Sequence, residues 1–443
     1  MRKRKIFFLS PHSDPLAPLG EVDAGGQCLY ELKLATEIAR QGRYEVDIFC
    51  ARKYGRAQIT QVVPGFRVIR VDCSTDEFIR KEEMEAYLSE FTKQVCEYIK
   101  TDGLPQVLHG HYWDGGKAMM MLSQMPSLRG VPTVWTPHSL GTIKRRNFTG
   151  INAEARYNFI PRILWENYVT TTASSITAST DHEKQILAEE YLALENKIKV
   201  IKPGSDYSQA DCWDTVKARK EFRLPINGKI LVTAGRMTQS KGYHHAIEVL
   251  HKLVKRRGSA MTSDYHLAIV GGTRNTINPE EKEYFGSLKK LVSKYKLSKH
   301  VTFIEAVDNT HMPAVYSCAD IYIALAEAEP FGLSIIEAMS MGCLVLAADR
   351  FGPRSIISHM SDGILLNPTD YDGIALKIEY IFKQKKLLEQ IKANAAHTAK
   401  SLYSWSKSAQ EFITIYDLLI KGKAGNKRRL RPEPYFLTKN LEV

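Results

Sequence analysis

At 443 residues the chain is long enough for two domains of ordinary size, each with its own core, and a hydrophobic share of 44% argues against disorder. Its 61 basic residues face 49 acidic ones, and the resulting formal charge of +12 suits anionic small molecules, acidic membrane surfaces or nucleic acid without choosing among them. No nucleic-acid signature accompanies the charge, and no apolar run approaches the roughly 20 residues of a membrane-spanning helix, so neither a nucleic-acid partner nor a spanning segment is expected.

The start, MRKRKIFFLS, has too short an apolar core for a signal peptide and reads as a basic lead-in to a buried first strand. Seven scattered cysteines, Cys28, Cys50, Cys73, Cys96, Cys212, Cys318 and Cys343, contain no C-x-x-C pair. They read as reduced thiols of a cytoplasmic protein, which makes the N-F-T sequon at Asn147 incidental. Apolar runs then alternate with amphipathic helical stretches: KIFFLS, EVDIFC, FRVIRVD, QVLHGHY, PTVWTPH and SITAST up to Ser179, then KILVTAG, YHLAIVGG, HVTFIEA, DIYIALA and CLVLAAD from Lys229. This rhythm predicts parallel sheets covered by helices, an α/β chain of two doubly wound domains. The turn-rich KPGSDYSQADCWD, Lys202 to Asp214, is the expected crossing between them.

Ligands of such domains lie at the carboxyl ends of the strands. After the first strand, Gly25 and Gly26 close a long loop and open a helix, where glycine allows close backbone approach and leaves N–H groups for a phosphate. The pattern is not G-x-G-x-x-G, and no acidic residue ends the second strand, so a dinucleotide-dependent dehydrogenase is disfavoured. HGHYWDGG, His109 to Gly116, and TPHSLGTIKRR, Thr136 to Arg146, open onto the same cleft. His109 and His111 alternate on a strand end, but no carboxylate or thiol pattern completes a metal site, and one reads as a hydrogen-bonded structural histidine. His138 with Lys144, Arg145 and Arg146 suits a phosphate-bearing acceptor; a solvated basic turn is the plainer alternative.

In the second half Arg236 and Lys241 straddle a turn at a helix start, placed to neutralise a leaving diphosphate. Gly271 and Gly272 offer a glycine turn suited to close passage of a nucleotide base. EAEPFGLSIIEAMSMG, Glu327 to Gly342, joins DIYIALA to a helix beginning near Gly332. Its first N–H groups suit a diphosphate, with Glu329 in the loop before it and Glu337 one turn inside. Both carboxylates are placed to accept hydrogen bonds from sugar hydroxyls, although spacing alone equally allows a helix-entry charge and a solvated helix residue. The tail around RRLRPEP, near Arg428, reads as flexible or surface-bound and able to contact an anionic membrane.

In this order DAGGQ, HGHYWDGG, TPHSLG-x-x-K, R-x-x-x-x-KG and E-P-F-G-L-x-x-x-E resemble the retaining nucleotide-sugar glycosyltransferases of the glycogen-synthase and sucrose-synthase type, family 4, with the GT-B fold. Within that group the chain is most similar to sucrose-phosphate and mannosylfructose-phosphate synthases, through LGEVDAGGQ, FIRKEEMEAYLSEF, HYWDGGKA and AHTAKSLYSWSKSAQEF. The resemblance implies two Rossmann-like domains facing across a cleft: an acceptor domain at residues 1–205 and a donor domain at 206–402. A helix at 403–421 would cross back to the first domain, ahead of a basic tail at 422–443. It implies that Arg236, Lys241 and the backbone around Phe331, Gly332, Leu333 and Ser334 bind the donor diphosphate. Glu337 would hold the ribose and Glu329 the transferred sugar, with Gly25, Gly26, Gly271 and Gly272 lining the donor site.

On the acceptor side the resemblance places Gly25 and Gln27 at the sugar, Lys144 and Arg162 at its phosphate, and His138 beside the reacting centre. His138, Arg236, Lys241 and Glu329 are accordingly the expected catalytic set. No metal ligand and no cofactor beyond the nucleotide-sugar substrate is implied. Lys202 stands where the family's interdomain turn has proline, Glu77 where a basic residue is usual, and Pro161 where a second arginine is common; Arg80 and Arg145 are the cations placed to compensate. The expected activity is transfer of a hexosyl unit from UDP-glucose or GDP-mannose to a phosphorylated sugar, with fructose 6-phosphate leading. Two alternatives are a family 4 enzyme acting on a lipid or glycan at a membrane surface and a catalytically silent nucleotide-sugar-binding regulator.

Overall fold

The computed structural model describes residues 4–17, 25–147, 153–256, 264–272 and 278–425. Asp23 and Ala24 of DAGGQ, Thr273 to Asn275 of VGGTRN, Phe148 and Thr149 of the sequon and the RRLRPEP tail lie outside the described residues.

Eight strands form the first sheet: β1 (Arg4–Leu9), β2 (Tyr44–Ala51), β3 (Ile59–Val63), β4 (Phe66–Val71), β5 (Val107–His111), β6 (Thr133–Thr136), β7 (Ser175–Ala178) and β8 (Ile198–Val200). Their spatial order is β3-β4-β2-β1-β5-β6-β7-β8, parallel throughout except for the antiparallel edge strand β3. The second sheet contains β9 (Lys229–Ala234), β10 (Tyr265–Val270), β11 (Val301–Ile304), β12 (Ile321–Ala324), β13 (Leu344–Ala348) and β14 (Ile364–Leu366). It is wholly parallel, in the order β11-β10-β9-β12-β13-β14. Helices cover both faces of each sheet, so a central strand must be apolar on both sides. In β1, Ile6 and Phe8 enter one core and Phe7 and Leu9 the other, all fully buried.

Strand order reverses between β1 and β5 in the first sheet and between β9 and β12 in the second. Adjacent connections leave in opposite directions at such a switch and open a crevice at the carboxyl ends of the strands. The loops after β1, β5, β9 and β12 are the ones that carry Gly25, the His111 region, Arg236 and Glu329.

Helix Trp405–Gly425 returns to the first sheet and runs past the expected end at 421. Trp405, Ala409, Phe412, Ile413 and Tyr416, on one helical stripe, fill the same core as Ile6, Phe8, Tyr30 and Leu34. The outgoing and returning segments lie side by side. Ser408 Oγ donates to the Lys202 carbonyl at 2.5 Å, and Ser205 N–H to that of Tyr403 at 3.3 Å. A Cβ at Gly204 would lie 2.1 Å from the Trp405 nitrogen, so only glycine admits this contact.

Candidate active site

The part of the cleft expected to hold the donor is built from backbone first. Gly332, at φ 114°, caps helix Leu333–Ser340 from the left-handed region that glycine tolerates, and among the described residues no side chain occupies its cap. Gly25 caps helix Gly26–Arg40 in extended conformation, also without a side-chain cap. The two N-termini face each other. A Cβ at Gly26 would sit 3.7 Å from Leu333 Cδ1, and one at Gly25 would sit 3.2 Å from Arg236 Nε. Two positive dipole ends and a guanidinium thus converge, a field suited to a diphosphate.

Lys241 forms a 2.5 Å ion pair with Glu329, both sides partly exposed to the cleft. The turn that presents this lysine depends on Gly242, at φ 68°, where a Cβ would come within 2.0 Å of the Leu325 carbonyl. Gly271 passes equally close to the Gly235 carbonyl, so these glycines first serve the packing of strand ends. Phe331 is buried against Tyr403, at 5.9 Å between rings. Glu337 is no solvated helix residue. It accepts a 2.5 Å hydrogen bond from the Tyr316 hydroxyl, and burial, with Asp206 nearby, pushes its carboxyl up to about 7.

The residues expected at the acceptor gather around Tyr112, which has φ 65° just after β5. Its hydroxyl meets Lys144 Nζ at 2.7 Å and an Arg162 nitrogen at 2.6 Å. Arg162 is buried and also reaches Glu166 at 2.7 Å and the Ser139 carbonyl at 2.6 Å. Lys144 is the cation of the pair left to change partner, and burial, with Arg162 and Lys81 beside it, holds its pKa well below the ordinary lysine value. Arg80 and Arg145, the sequence candidates for compensation, face Glu82 and Glu83 and Glu154 at 3.7 to 3.8 Å. Lys81 is a further cation whose field reaches Lys144, with those of Arg162 and Arg236, and the sequence reading missed it.

His138, also in left-handed backbone at φ 57°, stacks on His111 with Nε2 2.9 Å from its Nδ1. Burial depresses His138 to about 3, so it is neutral at physiological pH. Glu31, unremarked in the sequence, lies 3.8 Å from His111 and 3.9 Å from His138, and burial raises it to about 8. Gln27 turns inward, donating to Glu31 at 2.9 Å and to Ser10 at 3.2 Å. His109 is the structural histidine, held by Tyr416 and Thr136 at 2.8 Å each. Gln27, expected at the acceptor sugar, and Glu31 are one helical turn apart, but that spacing does not by itself mark Glu31 as buried beside two histidines.

Two doubly wound units with switch-point loops turned toward one cleft define the GT-B architecture of glycosyltransferases, which move a sugar from a nucleotide-sugar donor. The chain belongs to the family 4 type of these enzymes: residues 25–204 match the family described as "Glycosyl transferase 4-like domain", and 214–398 match "Glycosyl transferases group 1". It is 29% identical to mannosylfructose-phosphate synthase of Agrobacterium fabrum, over 94% of this chain and 92% of that one. It is 27% identical to D-inositol 3-phosphate glycosyltransferase of Corynebacterium efficiens, over 93% and 95%. Among solved structures, sucrose-phosphate synthase of Thermosynechococcus elongatus superposes with a TM-score of 0.83 at 24% identity, over 95% of this chain and all of that one.

Proposed function

We propose that the chain is a retaining hexosyltransferase that moves glucose from UDP-glucose or mannose from GDP-mannose to a phosphorylated sugar, fructose 6-phosphate first. The observation that carries this reading is the Lys144–Tyr112–Arg162 group, a largely buried cationic cluster tied through Arg162 to Ser139, the residue after His138. The two relatives and the structural neighbour support it, because each of their names carries a phosphate on the acceptor or the product.

In this reading Arg236 and the N-termini at Gly25 and Gly332 hold the donor diphosphate, and Lys241 stands beside it. Glu337 takes the ribose hydroxyls, Glu329 those of the hexose, and Gly271 and Gly272 let the base pass. The bond from the anomeric carbon to the β-phosphate oxygen breaks, and its electron pair leaves on the diphosphate. The acceptor hydroxyl bonds to the same face of that carbon, and its proton passes to a phosphate oxygen. Neutral His138 offers a hydrogen bond to the sugar without competing for that proton. Arg236 and the helix ends act chiefly on the negative charge that grows on the leaving group.

The test is a mass-spectrometric product assay with UDP-glucose and GDP-mannose, each offered with fructose 6-phosphate, glucose 6-phosphate, inositol phosphate and their unphosphorylated forms. A hexosyl-sugar phosphate, with nucleoside diphosphate released only when both substrates are present, is expected. Transfer only to unphosphorylated sugars or lipids would overturn the acceptor assignment.

A further inference from the structure

We propose that His244, His245 and Glu327 form a zinc-binding site on the rim of the second sheet, outside the donor and acceptor pockets. The two histidines occupy the first turn of helix Tyr243–Arg256, and Glu327 lies in the loop after β12. Their ligand atoms converge: His244 Nε2 is 3.3 Å and His245 Nε2 3.6 Å from the same oxygen, Glu327 Oε1. All three ligand atoms fall within 4.8 Å of one another.

Those separations are wider than the 2.7–2.9 Å of a tight charge-assisted hydrogen bond. They match an ion's coordination shell instead, since a tetrahedral centre with bonds of about 2.1 Å has edges of about 3.4 Å. Two imidazoles and a carboxylate are a common donor set for Zn²⁺. The fourth position would open to solvent, because the His244 and Glu327 side chains are 27% and 30% exposed.

A second layer orients both rings. His244 Nδ1 lies 3.0 Å from the Tyr284 hydroxyl and His245 Nδ1 3.0 Å from that of Tyr371. The Tyr284 oxygen already accepts the His244 backbone N–H at 3.3 Å, so it is turned to accept an Nδ1 proton as well. Such bonds leave each Nε2 with its lone pair toward the carboxylate, the tautomer a metal requires.

An ion there would tie together the two segments that present the donor-side ion pair. Glu327 N–H already donates to the Ser240 carbonyl at 2.8 Å, next to Lys241, and Glu329 follows two residues later. Zinc is therefore expected to stiffen the Lys241 turn against the Glu329 loop without touching substrate.

The experiment uses full-length protein stripped with chelator, equilibrated with Zn²⁺ and assayed for bound metal, with Co²⁺ absorption as a probe of coordination. Expected are one equivalent of zinc, a tetrahedral cobalt spectrum, and loss of both in His244→Gln and Glu327→Gln variants whose melting curves stay two-state. Tyr371→Phe, which leaves all ligands in place, should weaken binding about 10- to 100-fold. Absence of saturable binding would overturn the assignment. So would binding that survives Glu327→Gln but vanishes in Glu31→Gln, since the ion would then sit among Glu31, His111 and His138.

Discussion

Lys144→Met is the sharpest test of the acceptor site, because it removes one charge and keeps the length of the side chain. The Tyr112 hydroxyl keeps its 2.6 Å bond to Arg162, so the surrounding packing is retained. A phosphate oxygen about 4 Å from the ammonium, at an effective dielectric near 20, gains about 4 kcal/mol per unit charge. Part of that is lost to desolvation, and a hydrogen bond to a charged group nets about 1.5–3 kcal/mol. The predicted cost in kcat/KM is therefore about 10- to 150-fold, read mostly in KM for the acceptor. Initial rates with fructose 6-phosphate and with fructose separate this effect from general damage, since only the phosphorylated acceptor should suffer. Equal losses for both acceptors, or none, would refute the reasoning.

Glu31→Gln should change the pH dependence of stability. A glutamate titrates near 4.5 unfolded and Glu31 near 8 folded, so the folded state holds a proton that the unfolded state has lost, and stability falls as pH rises through this window. His138, lowered from 6.5 to about 3, acts oppositely, but only below about 6.5. Between pH 6.5 and 8 the wild type should thus lose about 2 kcal/mol on account of Glu31, a drop that denaturant titration should find missing in the variant. Gly25→Val, in extended backbone that any residue adopts, should leave the melting temperature nearly unchanged yet cut turnover about 100-fold, because its side chain displaces Arg236. Unchanged turnover would mean that the two helix ends do not work together. Tyr416→Phe orphans one buried nitrogen of His109 and should cost about 1–3 kcal/mol in denaturant titration, with KM for both substrates unchanged.

The central strands were readable because parallel strands buried on both faces write unbroken apolar runs, as in KIFFLS. The edge strands β3, β8 and β14 escaped that reading, being short and only partly buried. Gly25, Gly332, Arg236 and Lys241 could be picked out because each follows a strand and adjoins a turn. Glu31, Lys81 and Tyr112 act through side chains that meet only after the sheet forms, and no local spacing announces them. Gln27 and Arg162, expected at the acceptor, both spend their hydrogen bonds on neighbouring side chains and backbone, a direction that local spacing does not give.

The side-by-side passage of the chain between the two sheets has a mechanical meaning. Two strands of backbone, pinned to each other at Lys202, Gly204 and Ser205, act as a hinge with a single pin rather than as two loose tethers. Contacts between the two passes restrain the crossing more than two separate tethers would. A crossing held this way favours one registration of the two sheets, the one in which Gly25 meets Arg236. A side chain at Gly204 would spoil this registration without touching either substrate.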